Sequence, residues 1–329
     1  MPFVFIPIAI ANCDLPLAVG PAMRRTGCFL GDSDMLIATL IAAKSLPVDA
    51  LDQARSLLAS KGGKIGDQKW LAPEKAIDLS LEDISLVDAR AVFFDSMPGI
   101  DVFVQNDEHR RKKTARGSSD MDSTAIADEC MDELADYAGF RKESEEITIR
   151  AMRGELNFDE SLKARTKLLA GLKTSVIQEC VRDRIHLTPG IKTLIQTMNA
   201  NGAHCFLVSG GFLDFAVPVA KEIGFEKPFA NTLEVEGDTL TGRVLDPILG
   251  PETKKEILQE ECQRFGIKLE ETITLGDGAN DIPMIEAAGL GVAYHAKPRT
   301  VSHSDAHISY GDMTAILFAQ GYTPDEWVK

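Results

Sequence analysis

The sequence predicts an α/β protein: a parallel-sheet domain carrying a helical insertion, preceded by a smaller α/β domain. Three observations predict it. Beyond residue 190, short apolar runs alternate with amphipathic helical patterns, as expected of parallel strands covered by helices on both faces. Residues 124–185 carry helical patterns and hardly a strand. Residues 35–105 open and close on strand-like runs with a helical pattern between them. A chain of 329 residues has room for two domains with proper cores.

The elements follow in order. Residues 3–20 are apolar, but no Lys or Arg precedes them, and Asp14, Pro7 and Pro16 interrupt them. They make a poor signal peptide and too broken a membrane span, so residues 1–34 are expected to be an extension outside the fold. Met35–Ala43 reads as a strand. Val48–Ser60 reads as a helix with Leu51, Ala54, Leu57 and Leu58 on one face, and Ile100–Gln105 as a second strand. The basic run Arg110, Arg111, Lys112, Lys113 and Arg116 is expected to be a solvated linker, dividing a front domain (35–112) from the larger one (113–329). Within the latter, Ile191, Leu194, Ile195 and Met198 share one helical face that Gly202 closes. Cys205–Val208, Thr272–Leu275 and Gly291–Tyr294 read as strands and Glu252–Phe265 as a helix. The sum is a Rossmann-like sheet with a helical cap at about 129–188.

Composition removes several function classes. The formal net charge of −15 repels nucleic-acid backbones and acidic membranes, though not small anions held in a local pocket. The six cysteines have no CxxC spacing, so neither a zinc site nor a disulfide framework is expected, and a cytoplasmic location is.

Four short motifs carry chemistry. In Asp120-Met121-Asp122-Ser123-Thr124, two carboxylates lie two residues apart before a helix. They can share a pocket, one attacking phosphorus and the other handling the leaving-group proton; the same residues also suit a helix N-cap. Thr274-Leu275-Gly276-Asp277-Gly278-Ala279-Asn280-Asp281 places acidic groups after an apolar strand, as a hard cation such as Mg²⁺ prefers, or as a plain Gly-Asp turn. Ser209-Gly210-Gly211 is either a common turn or an anion site of hydroxyl and backbone amides at a helix start. Lys254 begins a helix, where lysines are ordinarily on the surface.

The order Asp-x-Asp-x-Thr, Ser, Lys, Gly-Asp-Gly-x-Asn-Asp resembles the four signatures of the haloacid dehalogenase superfamily. With Glu129, residues 151–158, Ser161–Arg165 and Gly291–Pro298, the resemblance narrows to its phosphoserine phosphatase family and spans roughly residues 113–322. The front domain is similar to the amino-acid-binding (ACT-like) domains that precede some bacterial members. The resemblance implies hydrolysis of O-phospho-L-serine through a phospho-aspartate. Asp120 would be the nucleophile and Asp122 the acid and base. Mg²⁺ would sit on the Asp120 carboxylate, the Asp122 backbone carbonyl and Asp277. Ser209, Gly210 and Lys254 would hold the phosphoryl oxygens, and Asn280 would orient that side of the pocket. In the cap, Glu129 would meet the substrate ammonium and Arg165 its carboxylate, while Met152 and Phe158 supply apolar cover. A homodimer is compatible with the family. Another small phosphate ester, a phosphotransferase, or a catalytically impaired amino-acid sensor are the alternatives the sequence leaves open.

One segment departs from that family. Residues 114–119, Thr-Ala-Arg-Gly-Ser-Ser, stand where the strand before Asp120 should be Val, Ile and Leu. A buried Arg116 and a mid-strand Gly117 are expected to cost stability.

Overall fold

The computed structural model of the chain describes residues 35–107, 110 and 116–329, apart from the side chains of Arg116 and Met152. The extension expected at residues 1–34, the basic run at 111–115 and the apolar role expected of Met152 therefore fall outside the described residues.

The front half is a four-stranded antiparallel sheet built from β1 (Leu36–Ala42), β2 (Lys64–Ala72), β3 (Ala76–Glu82) and β4 (Ile100–Asn106), in the order β2-β3-β1-β4. Helices α1 (Ala50–Ala59) and α2 (Leu86–Phe93) follow β1 and β3, the order of a split βαβ motif. The strands expected at 35–43 and 100–105 are there. Those at β2 and β3, and helix α2, were not anticipated.

The second sheet has seven strands: β5 (Arg116–Ser119), β6 (His204–Phe212), β7 (Lys227–Glu236), β8 (Thr239–Leu245), β9 (Thr272–Gly276), β10 (Leu290–Tyr294) and β11 (Ala306–Ile308). Their order is β11-β10-β9-β5-β6-β7-β8, parallel except for β8 at one edge. After β5 the insertion carries four helices: α3 (Cys130–Ala138), α4 (Arg141–Met152), α5 (Phe158–Lys167) and α6 (Thr174–Arg184). They are tied down on the β7–β8 hairpin by Gly171 N–H to Leu240 O at 2.9 Å and Leu240 N–H to Leu172 O at 2.8 Å. Helix α7 (Ile191–Ala200) buries Ile191, Leu194, Ile195 and Met198, the expected face. Then come α8 (Leu213–Ile223), α9 (Pro251–Phe265), α10 (Ile282–Ala287), α11 (Pro298–Val301) and α12 (Ala315–Ala319).

Two expectations need correction. Arg110 is not a solvated linker residue. It is buried, its guanidinium paired with Asp78 at 2.8 and 3.0 Å and donating to Ala319 O at 3.0 Å and Phe318 O at 3.3 Å. A run of cations reads as solvated only when no buried carboxylate waits for one, and Asp78 in β3 does. The strand read as Cys205–Val208 also continues to Phe212, so Ser209, Gly210 and Gly211 form its end rather than a helix start.

The polar segment does form the central strand. Arg116–Ser119 pairs with β6 on one side and β9 on the other. Packing adapts to it: a Cβ on Gly117 would lie 3.1 Å from Met198 Cε and 3.2 Å from Cys205 Sγ, so the Met198 thioether occupies space that a branched side chain would take. The filling is incomplete, for a small void remains against Gly117, Ser118 and Ser119, closed by Leu194, Ile195, Met198, Ile273, Leu275 and Ile316.

Candidate active site

Parallel strands leave a crevice at their carboxyl ends, where ligands of open α/β sheets bind. Three strand ends converge there: Asp120 follows β5, Ser209 lies near the end of β6 and Asp277 follows β9. The Asp120 N–H bonds Leu275 O at 3.0 Å, locking that residue to the neighbouring strand. Beyond it the chain departs from helical geometry, with Ser123 at φ 50°, and this turn brings Asp122 back over the pocket.

Asp120 is buried, and its Oδ1 accepts from Met121 N–H and from Lys254 Nζ, each at 2.7 Å. Among the described residues its Oδ2 accepts only from the amide of Asn280, at 3.4 Å, and is the freer oxygen. Lys254 also reaches Asp281 Oδ1 at 2.7 Å. This lysine, on the first turn of a helix, is 1% exposed, contrary to the usual surface position. Burial opposes its charge, but Asp120 and Asp281 outweigh burial and hold its pKa above the ordinary lysine value.

Asp122 accepts from Cys130 N–H at 2.8 Å and from Ser209 Oγ at 3.3 Å. Burial, with Glu129 and Asp120 adding repulsion, pushes its pKa up to about 7. Asp277 is raised to about 6 by burial and by Asp120, against the pull of Lys254 and Lys297. Ser209 Oγ accepts from Gly211 N–H at 2.9 Å. A Cβ on Gly210 would lie 3.0 Å from Phe158 Cζ, so the insertion closes directly on the strand end, and a larger residue there would press on the Phe158 ring.

Carboxylate oxygens of Asp120, Asp277 and Asp281 lie within 4.8 Å of one another. An all-oxygen, anionic set of this kind suits a small hard divalent cation. Asp277 and the Asp120 carboxylate fit it best, because both oxygens of Asp281 are occupied, by Lys254 and by Gly278 N–H.

In the insertion, Glu129 is exposed and accepts from Ser123 Oγ at 2.7 Å. Arg165 is half-buried, its Nε has no hydrogen-bond partner, and no acidic side chain pairs with it among the described residues. The pocket thus gathers Asp120, Asp122, Ser209, Lys254, Asp277 and Asn280, with Phe158 against Gly210. Thr124, whose hydroxyl donates to Asp277 Oδ1 at 3.3 Å, was given no role from sequence, although the Asp-x-Asp-x-Thr spacing had singled it out.

Residues 119–289 match the haloacid dehalogenase-like hydrolases, and the chain belongs to that family. The phosphoserine phosphatase of Saccharomyces cerevisiae is 32% identical over 304 residues, covering 89% of this chain and 98% of the relative. A haloacid dehalogenase family hydrolase from Salmonella enterica serovar Typhi superposes with a TM-score of 0.77 at 29% identity, over 87% of this chain and 98% of its own. The probable phosphoserine phosphatase of Vibrio cholerae gives 0.69 at 26% identity, over 88% and 86%. Among the described residues, no helix is long and apolar enough to cross a membrane.

Proposed function

We propose that the chain is a Mg²⁺-dependent phosphoserine phosphatase that hydrolyses O-phospho-L-serine to L-serine and phosphate. The observation that carries the reading is Lys254. A fully buried ammonium 2.7 Å from the Asp120 carboxylate has the charge and position to receive phosphoryl oxygens as Asp120 attacks.

Asp120 Oδ2, the less engaged oxygen, is the nucleophile, and Met121 N–H and Lys254 fix the carboxylate's orientation through Oδ1. Asp122, with a pKa near 7, carries a proton in a large fraction of molecules at neutral pH. It donates that proton to the departing serine oxygen, then takes one from the water that hydrolyses the phospho-aspartate. Ser209 Oγ and the Gly210 amide, with Lys254, hold the phosphoryl oxygens, whose charge redistributes in the transition state. When bound by the Asp120 carboxylate, the Asp122 backbone carbonyl and Asp277, Mg²⁺ supplies the charge neutralisation that lets an anionic carboxylate approach an anionic ester. Arg165, which pairs with no acidic side chain among the described residues, meets the substrate carboxylate, and Glu129 meets the ammonium. Phe158 helps exclude water.

The test is phosphate release across a panel of small phosphate esters, with Mg²⁺ and with chelator. Phosphoserine is expected to be turned over fastest, and only with metal. Preference for another ester would overturn the substrate assignment, and no release from any ester would favour an inactive sensor.

A further inference from the structure

The front domain reaches the metal-binding loop through one buried carboxylate. We infer that Asp101, at the start of β4, is a positioning residue for the loop that carries Asp277; the inference rests on the site assignment of the proposed function.

Asp101 is 2% exposed. A carboxylate so deeply buried needs full compensation, yet no cationic side chain is bonded to it among the described residues. Its partners are three successive backbone amides from the other domain: Ser309 N–H at 2.8 Å and Tyr310 N–H at 3.1 Å on Oδ1, and Gly311 N–H at 2.8 Å on Oδ2. Successive amides turned onto one anion form a nest, here filled by the protein's own side chain. The wrap is tight, since a Cβ on Gly311 would lie 2.9 Å from Asp101 Oδ2.

The contact continues toward the pocket. Gly311 O faces His295 Nε2 at 3.1 Å, and His295 N–H bonds Ile308 O at 2.8 Å. His295 is held at φ 41°, a left-handed conformation that a residue other than glycine keeps only when its surroundings impose it. Two residues on, Lys297 N–H bonds Asp277 O at 3.3 Å. Asp101 therefore fixes residues 309–311, these fix His295, and the His295–Lys297 turn fixes the backbone of Asp277. Other contacts across the same seam, such as Arg90 with Asp305 at 2.5 Å, bypass the 309–311 loop.

Spatial contiguity alone does not establish coupling, so the test separates positioning from domain adhesion. Asp101→Asn replaces one oxygen with an amide group that cannot accept from an N–H. Mg²⁺ affinity is measured by titration calorimetry, alongside thermal stability and the kcat and KM for phosphoserine at saturating metal. Asp101→Asn is expected to weaken Mg²⁺ binding about three- to tenfold, at or below the effect of removing a residue that directly supports a metal ligand. KM for phosphoserine should stay within about twofold. Gly311→Ala should shift Mg²⁺ affinity in the same direction, and it carries the test if Asp101→Asn does not fold. Arg90→Ala should lower stability and leave Mg²⁺ affinity unchanged. Wild-type Mg²⁺ affinity in Asp101→Asn, or an equal loss in Arg90→Ala, would overturn the inference. Absence of phosphoserine turnover in the wild-type chain would instead sink the proposed function, and calorimetry would still read the loop.

Discussion

Arg165 is the residue on which substrate choice turns. A half-buried guanidinium that pairs with no acidic side chain among the described residues is poorly compensated until an external carboxylate arrives. Arg165→Ala should therefore reduce kcat/KM for phosphoserine by about 30-fold, corresponding to a charge-assisted contact of about 2 kcal/mol. An aryl phosphate lacking a carboxylate should lose little. Equal losses on both substrates would assign Arg165 to the fold or the phosphate. The residues that the pocket gathers were largely legible at this scale, because catalysis needs particular residue types at particular spacings, and order along the chain distinguishes Lys254 from an ordinary surface lysine. Thr124 and Asp101 were less so: each acts through a contact 153 or some 208 residues away, which no local pattern encodes.

Among the elements, β5 shows what a central strand tolerates. Ladder pairing on both sides supplies backbone hydrogen bonds regardless of side chain, so Gly117, Ser118 and Ser119 can occupy a position the sequence pattern disfavours. The cost appears as the void and as one weakly satisfied hydroxyl, Ser118 Oγ, which faces the Met284 sulfur at 3.2 Å, whereas Ser119 Oγ donates to Asp120 O at 2.7 Å. Ser119 shares the Gly117 face by strand alternation, toward α7 and the void. Ser119→Val should raise thermal stability by roughly 0.5–2 kcal/mol, as cavity-filling substitutions do; a lower Tm would show that loss of the Ser119 Oγ bond to Asp120 O or crowding outweighs the filling. The elements the sequence hid have a common cause. Strand β2 lies at a sheet edge and is mostly exposed, so it lacks alternation, and β3 buries Asp78 and Ser80, which interrupts an apolar run. Asp78 is stable there because Arg110 and Thr39 satisfy it.

For the molecule as a whole, the pocket's carboxylates make stability depend on pH and metal together. Asp122 and Asp277 have folded pKa values of about 7 and about 6, raised from 3.8. Groups raised in this way favour the folded state fully below 3.8, and that contribution is lost as pH rises through about 6 and 7. The metal-free protein should thus lose stability over this window. Mg²⁺ binds the ionised Asp277 carboxylate, so the Tm difference between Mg²⁺-loaded and chelated protein should widen from roughly pH 5 to pH 8. A pH-independent difference, measured by calorimetric melting, would mean that Asp277 does not hold the ion.

The central claim is that Asp120 carries the phosphoryl group, and acid quenching followed by peptide mass spectrometry tests it most directly. Enzyme mixed with phosphoserine and Mg²⁺ and quenched within one turnover should show one added phosphoryl mass on the peptide containing Asp120, absent in Asp120→Asn and absent without metal. Phosphoserine turnover with no trapped phosphoryl in rapid quench, or a phosphoryl group on any other residue, would contradict the account.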